Sequence, residues 1–423
     1  MTSHVEAQQL LRQGRIADAA RAFEAILEQA PQDQSAINAL VLIALNQRNG
    51  VRAMELLQRV PQAEVTPITA HQLGLTHQLG GDMPAALRCL RQAIALAPDF
   101  HLARLHLGQA LEASGAATDA AVQYARTLQD AQRAGRWTNE STTAPALRPE
   151  VTHAVRYVRA HRRRTAATLF EPLAAKYGAA SLDRVQECLS IHLNEKPAPL
   201  VDPRQQPVFL FFPGLPTAAY FDRSLFPWIA ALEGQTDAIV KELHDVLGGA
   251  DGKERVFTSD ELERQNLRGL DVAPSWNGYY FYRHGERRED NCTACPVTAA
   301  ALDALPLGRV RDHGPEVLFS VFTPGTHLLP HRGVTNVRSV AHLPLIIPRD
   351  CALRVGGEIH AWRKGEVVVF DDTFEHEAWN RSEQTRVVLI FDIWNPYLTE
   401  VECAAMSELI VDIGDFRQAV EAA

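Results

Sequence analysis

The run VVVFDDTFEHEAWN (367–380), followed by RVVLIFDIW (386–394), is the clearest sign of the architecture of this 423-residue chain. Apolar runs of strand length flank a polar turn, which is typical of two β-strands joined by a connection. His376 lies in that turn, and Arg386 opens the second, alternating run. The pattern predicts short strands that carry polar side chains at their ends.

An earlier segment has the same arrangement. PGTHLLPHRGVTN (324–336) places His331 in a turn after a strand-like run, 45 residues before His376. Two neutral imidazoles at strand ends suit a mononuclear Fe(II) site, because imidazole nitrogen ligates borderline divalent metals. Arg386 can hold a carboxylate through two charge-assisted hydrogen bonds, which suits a keto-diacid cosubstrate. The pattern therefore indicates the core of an Fe(II)- and 2-oxoglutarate-dependent oxygenase that uses O2.

Other short strand-like runs predict the fold class. They are separated by Gly, Asn and Asp turns, and Gly356-Gly357 suits a hairpin. We expect a jelly-roll (double-stranded β-helix) domain over residues 207–400, with strand character from VFLFFPGLP (208–216) onward. A helix over residues 401–423 follows.

The motifs of this region resemble those of the aspartyl/asparaginyl β-hydroxylases in order and spacing. The resemblance covers roughly residues 207–400 and is densest from Ser320 to Pro396. It rests on PGTHLLPHRGVTN, AHLPLIIP (341–348), VVVFDDTFEHEAWN and RVVLIFDIWNPYLT. That family lacks the usual iron carboxylate, and Gly333 stands here where most of the wider superfamily carries Asp or Glu.

Carried over by position, the resemblance implies that His331 and His376 ligate iron and that no other side chain is catalytic. It also implies the contacts of 2-oxoglutarate: Arg386 and Ser320 at its distal carboxylate, His342 near its other end, and Trp276 in the pocket wall.

One position departs from the family pattern. Members of the family carry an arginine two residues before the histidine of the second motif, where this chain has Val340. Side chains alternate along a strand, so Arg338, Val340 and His342 share a face. Either Arg338 supplies the missing charge to the cosubstrate, or the cosubstrate binds more weakly, or the domain has changed function.

Other polar residues near the motifs are expected to have supporting roles. Asp371, Asp372 and Glu375 suit turn, surface or ligand-orienting positions better than metal ligation. His327, four residues before His331, follows a Pro-Gly turn in an extended segment, which favours a pocket or structural role. Cys292 and Cys295 form a lone CxxC, for which two unbonded thiols are favoured over a disulfide or redox pair.

The first third of the chain is a repeat array. GRIADAARAFEAILEQAPQDQSA (14–36) returns as GDMPAALRCLRQAIALAPDFHLA (81–103), with glycines near the 34-residue tetratricopeptide period. We predict four helix pairs over residues 3–136, the second (37–68) the most divergent. Such arrays bind peptides or protein segments on a concave surface, although a scaffold or dimer surface is the alternative.

Between these parts, residues 137–206 are expected to form a linker and bridging helices. The net charge of −9 argues against a nucleic-acid binder. We expect no membrane association, since no apolar stretch reaches about 18 residues. Six scattered cysteines and the absence of a signal-peptide pattern favour a cytoplasmic protein.

Three functions are compatible with these observations. The leading one is hydroxylation of an Asp or Asn β-carbon in a protein or peptide held by the repeats, as in the animal members of the resembled family. The second is hydroxylation of a small, carrier-tethered or lipid substrate, of which lipid is disfavoured. The third is a non-catalytic interaction protein, which Val340 favours and the intact histidine pair with Arg386 opposes.

Overall fold

The computed structural model describes residues 3–247, 254–255 and 276–423. The chain divides into two compact units, Met1–Thr165 with Asp415–Ala423, and Ala166–Gly414. The first unit is helical and the second contains antiparallel sheets, which confirms the mixed fold class. Among the described residues, no helix is both long enough and apolar enough to cross a membrane.

The helical unit confirms the four predicted helix pairs. Five of its helices begin with a Ser, Thr, Asp or Asn whose side chain accepts the backbone N–H three residues later, which stabilises the first turn. The pairs are α1 (His4–Arg12) with α2 (Ile16–Gln29), α3 (Gln34–Asn46) with α4 (Gly50–Leu57), α5 (Pro67–Leu79) with α6 (Met83–Leu96), and α7 (His101–Ala113) with α8 (Ala117–Arg133).

Close packing inside the last two pairs depends on glycine. A Cβ atom on Gly74 would lie 2.6 Å from Leu90 Cγ, and one on Gly108 would lie 2.6 Å from Tyr124 Cδ1. Both glycines and both bulky partners are 34 residues apart, the repeat period. The matching position in the second pair is Leu40, so that pair packs without this close approach.

Further helices follow the repeats. Both unit boundaries fall inside helices, Thr165 within the ninth and Gly414 within the last, so these helices contribute to both units. The domain limits at residues 136, 206 and 400 therefore remain predictions. The helices are α9 (Arg148–Tyr177), α10 (Asp183–His192), α11 (Ile229–Glu233), α12 (Thr236–Leu247), α13 (Glu289–Ala294), α14 (Pro296–Asp303) and α15 (Glu400–Ala422), with 3₁₀ turns at Gln62–Glu64, Pro145–Leu147, Ala179–Leu182 and Arg223–Leu225.

Two antiparallel sheets form the second unit. The larger has the order β1-β2-β4-β11-β6-β9 with β3 beside β2, and the smaller has the order β5-β10-β7-β8. From β4 onward the chain passes back and forth between the sheets, as in a jelly roll. The strands are β1 (Glu254–Arg255), β2 (Trp276–Arg283), β3 (Glu286–Arg287), β4 (Val317–Phe322), β5 (His327–His331), β6 (Arg338–Ile346), β7 (Cys351–Val355), β8 (Glu358–His360), β9 (Val368–Phe370), β10 (His376–Asn380) and β11 (Arg386–Trp394).

Each face of the larger sheet has its own apolar core, because side chains alternate along a strand. On β11, Leu389 and Phe391 pack on the outer face, against apolar residues of α11, α12 and α14. Val388 and the partly buried Ile390 belong to the inner core, which the smaller sheet completes with Leu353 and Val355. The inner face is therefore where polar residues of both sheets can meet.

One predicted strand is wrong. Residues 208–216 contain only an isolated bridge, between Leu210 and Thr335. The backbone N–H groups of Phe209 and Leu210 both donate to Val334 O, each at 3.0 Å. Pro207 and Pro213 lack the N–H that a strand ladder needs, so the segment packs as a loop. The Gly356-Gly357 hairpin between β7 and β8 is confirmed, with φ of 57° and 92°.

Candidate active site

His331 and His376 face each other across the smaller sheet. They are the last residue of β5 and the first of β10, and their Cα atoms are register partners. The sequence predicted turns at both positions, but both belong to strands. The ring centroids are 4.0 Å apart. That separation is compatible with two nitrogens on one ion, because metal–imidazole bonds are about 2.0–2.1 Å long.

Backbone carbonyls fix the tautomer of both rings. His331 Nδ1 lies 2.8 Å from Leu329 O, and His376 Nδ1 lies 3.0 Å from Phe374 O. A carbonyl only accepts, so each Nδ1–H donates and each Nε2 keeps its lone pair. Burial lowers the pKa of His331 and, with His331 beside it, lowers that of His376 to about 3. Both rings are therefore neutral, which is the form that ligates metals.

Arg386 is a buried cation for which the described residues provide no counter-ion. Its side chain is 1% exposed, and its guanidinium lies between Trp362 and Phe322, 4.1 Å and 4.5 Å from the ring centroids. In the described part of the chain no carboxylate pairs with it. Burial lowers its pKa to about 9. An unpaired buried charge is costly, so this site favours an anionic ligand.

Ser320 and Trp276 lie beside Arg386, and His342 lies close to both Arg386 and His376. Ser320 Oγ accepts hydrogen bonds from Arg386 Nη1 at 3.1 Å and from Trp276 Nε1 at 2.9 Å. His342 is 4% exposed, and its ring packs 5.0 Å from Phe370, which in turn lies 5.6 Å from His376. Burial, followed by the nearby Arg386 charge, holds the pKa of His342 well below its usual value.

Three polar atoms of this pocket are buried and have no hydrogen-bond partner among the described residues. They are Arg386 Nε, His342 Nδ1 and Trp362 Nε1. Trp362 was not predicted, and it touches the other two residues, since its ring lies 5.8 Å from the His342 ring. Its signal in the sequence is weak, a tryptophan in the polar segment between two strand-like runs. Buried polar groups are normally paired, so the pocket suits a ligand with acceptor oxygens.

The Gly333 position lies against Asp372. A Cβ atom on Gly333 would overlap the Asp372 carboxyl group, and Gly333 N donates to Asp372 O at 2.7 Å. Burial raises the pKa of Asp372 well above its usual value. Within the described ranges, no group of three His, Cys, Asp or Glu side chains could hold a metal ion. The site accordingly offers a histidine pair rather than a three-residue cluster.

The structure does not bring Arg338 to this group. Arg338 Nη1 lies 3.1 Å from Asp392 Oδ2 and 3.1 Å from His313 O. Asp392 is the register partner of Val340 on the neighbouring strand, so it faces the same side of the sheet as Arg338. Because this partly buried carboxylate pairs with Arg338, the guanidinium already has a counter-ion.

The remaining polar residues of the motifs serve the scaffold. Asp371 accepts from Thr373 and from Gln205 Nε2, the latter at 2.6 Å, and so braces the turn before His376. His327 lies 2.7 Å from Glu377. Glu375 is exposed and pairs with Arg332 at 3.2 Å.

The residues present fit an Fe(II) ion and 2-oxoglutarate. Two neutral imidazoles offer Nε2 lone pairs to a borderline metal, and a buried arginine with unpartnered neighbours offers hydrogen bonds to a carboxylate. Both features lie on the inner face of the two sheets, beside its apolar core.

Known protein families match both parts of the chain. Residues 233–396 match the aspartyl/asparaginyl beta-hydroxylase family, and residues 10–73 and 72–135 match tetratricopeptide repeats. The human aspartyl/asparaginyl beta-hydroxylase is 32% identical over 43% of this chain and 25% of its own length. The ornithine lipid ester-linked acyl 2-hydroxylase of Rhizobium tropici is 35% identical over 42% of this chain and 60% of its own.

The chain thus spans less than two thirds of these curated relatives. A solved Pseudomonas putida prolyl-4-hydroxylase is 18% identical over 38% of this chain and 98% of its own, with a TM-score of 0.20, too weak a likeness to carry an argument. The chain therefore joins tetratricopeptide repeats to a domain of the aspartyl/asparaginyl β-hydroxylase family.

Proposed function

We propose that this protein is an Fe(II)- and 2-oxoglutarate-dependent hydroxylase. The observation that carries the proposal is the buried, unpaired Arg386 on the same inner face as the His331–His376 pair. A metal site alone suits many functions, and a buried arginine alone suits many anions. Together they suit a dicarboxylate that reaches a metal at one end and a guanidinium at the other.

Bound iron, 2-oxoglutarate and O2 would supply the oxidant that inserts an oxygen atom into a substrate C–H bond. The protein's part is to bind and orient. His331 and His376 hold the metal through Nε2, while Arg386 and Ser320 hold the distal carboxylate of 2-oxoglutarate. Trp276 fixes Ser320, and His342 lies near the end of the cosubstrate that faces the metal. No side chain needs to act as a nucleophile.

For the substrate, we propose an Asp or Asn residue of a protein or peptide. The family match at residues 233–396 and the human relative's name support an aspartyl or asparaginyl side chain. The repeats before the domain favour a polypeptide, because stacked helix pairs offer an extended surface for protein segments. A lipid or carrier-tethered acyl group is the second candidate, which the Rhizobium relative's name supports.

A turnover assay tests this function. The protein is incubated with Fe(II), 2-oxoglutarate, O2 and either libraries of peptides that contain Asp or Asn or a set of lipids and carrier-tethered acyl groups, and succinate and +16 Da products are measured. We expect succinate to form in step with hydroxylated Asp or Asn. Products on acyl chains alone would replace the peptide proposal with the second candidate.

Matched variants decide whether the proposed site is responsible. His376→Ala should abolish product formation, whereas His327→Ala, on the neighbouring strand but paired with Glu377, should retain it. Binding of metal and protein partners without any turnover of 2-oxoglutarate would instead support a non-catalytic interaction protein.

A further inference from the structure

The pocket around Arg386 has more hydrogen-bond donors than its neighbours use. Arg386 Nη1 donates to Ser320, but Arg386 Nε has no partner within the described part of the chain. Trp362 Nε1 is equally unpartnered there, although the side chain is only 5% exposed. An indole N–H donates and cannot accept, so what is missing beside Trp362 is an acceptor.

The two unpartnered donors, Arg386 Nε and Trp362 Nε1, lie beside the same part of the pocket. The Arg386 guanidinium stacks 4.1 Å from the Trp362 ring centroid, so both groups border the same part of the pocket. A carboxylate has two oxygens with about four acceptor sites, which one guanidinium edge does not fill. The nearby indole of Trp276 is not available for the ligand, because its Nε1–H already donates to Ser320 Oγ at 2.9 Å.

We propose that Trp362 is a specificity-determining residue of the cosubstrate pocket, which donates its Nε1–H to the distal carboxylate of the ligand while its ring holds Arg386 in place. This rests on the proposed 2-oxoglutarate-dependent function. Arg386 supplies the charge, and Trp362 supplies a directional hydrogen bond that selects a carboxylate over an apolar chain end.

The hydrogen bond from Trp362 to the distal carboxylate is more important because the opposite end of the pocket, near Val340, offers the ligand no charged partner within the described ranges. Val340 offers no charge, and Arg338 is paired with Asp392 at 3.1 Å. Among the described residues of this pocket, the buried guanidinium that lacks a carboxylate partner is that of Arg386. Ligand recognition by this chain should depend strongly on the distal carboxylate.

Binding rather than turnover provides the test. Calorimetry with the full-length Fe(II)-loaded protein, without oxygen, compares 2-oxoglutarate with 2-oxopentanoate, which keeps the keto acid but lacks the distal carboxylate. The variant Trp362→Phe keeps an aromatic ring over Arg386 and removes only the N–H. Trp228→Phe, in the outer core against Phe391, is the matched control.

We expect Trp362→Phe to weaken 2-oxoglutarate binding by about 10- to 100-fold, since hydrogen bonds to charged groups are strong. Binding of 2-oxopentanoate should stay within about 2-fold, and Trp228→Phe should change neither. Equal weakening of both ligands, or no weakening of either, would overturn the role of Trp362 while leaving the proposed function in place. If the unaltered protein does not prefer 2-oxoglutarate over 2-oxopentanoate, both proposals fail.

Discussion

The carboxyl group of Asp372 fills the space that a Cβ atom on Gly333 would occupy. Gly333 is the position at which a third, carboxylate ligand would follow His331 by two residues. The two residues are also joined by the backbone hydrogen bond from Gly333 N to Asp372 O, so the close approach is part of the turn that leads to His376.

Any side chain at position 333 should therefore disturb this turn. We expect Gly333→Ala to lower the free energy of unfolding by about 1–3 kcal/mol, because an added methyl must displace the Asp372 carboxyl group. The double variant Gly333→Ala/Asp372→Ala should recover most of that loss. Urea unfolding of the three proteins measures the effect, and equal stability of Gly333→Ala and the unaltered protein would contradict it.

Arg386 should be required for the binding of 2-oxoglutarate but not for the stability of the folded protein. Replacing it by Met removes an unpaired buried cation, so we expect the ligand-free protein to be at least as stable as before. Binding of 2-oxoglutarate should fall by more than about 100-fold, since the charge and its hydrogen bonds are lost. Calorimetry and urea unfolding on the same sample check both parts. A clear loss of stability with binding retained would show that Arg386 is structural.

The Arg338–Asp392 pair should show the opposite behaviour. Arg338→Met leaves a partly buried Asp392 carboxylate without its cation and should cost about 1–3 kcal/mol of stability. The affinity for 2-oxoglutarate should change less than about 3-fold, because the guanidinium is already engaged. A large loss of affinity in a folded Arg338→Met protein would instead show that Arg338 replaces the arginine missing at Val340.

Acid should destabilise the helical unit through His71. This histidine is 6% exposed and lies 2.7 Å from His106 Nδ1, whose other nitrogen lies 3.2 Å from Glu150. Burial, followed by the neighbouring His106, lowers the pKa of His71 from 6.5 to about 3. Below pH 6.5 the unfolded chain binds a proton that the folded chain does not, so stability is lost as the pH falls from there towards 3.

The expected slope is ~1.4 kcal/mol per pH unit for this one group. His71→Gln keeps a donor for His106 and removes the titration. Urea unfolding at pH 7.5 and pH 5.0 should therefore show a fall that is about 2 kcal/mol smaller in His71→Gln than in the unaltered protein. Equal falls in the two proteins would mean that His71 is protonated in the folded state.

The repeat glycines should not tolerate a methyl group. Gly74→Ala and Gly108→Ala force contacts with Leu90 and Tyr124, and each should cost about 1–3 kcal/mol. Gly80→Ala is the control, since Gly80 has an ordinary φ of −80° and its Cβ would make only ordinary van der Waals contacts, the nearest with Thr76 O at 3.5 Å. Thermal unfolding should separate the first two variants from the third, and three equal melting temperatures would contradict the packing described.

Local patterns in the sequence were enough for most element types and for the choice of His331 and His376, although both histidines were predicted in turns and lie in strands. The 34-residue period predicted four helix pairs because each repeat is one local unit, and alternation predicted the strands around His376 because side-chain direction follows the backbone period. Residues 208–216 show where this fails. Their apolar run suggested a strand, but the flanking prolines and the backbone of Val334 determine a loop.

The contacts that define the pocket depend on residues far apart in the chain. Whether Arg338 reaches the cosubstrate depends on Asp392, 54 residues away, and the space at Gly333 depends on Asp372. The stack of Trp362 on Arg386 likewise joins a loop to a strand of the larger sheet. Register between β6 and β11 sets the Arg338–Asp392 contact, and the pairing of β5 with β10 brings the turns of Gly333 and Asp372 together. Register follows from the packing of two sheets around a shared core, and no local pattern contains it.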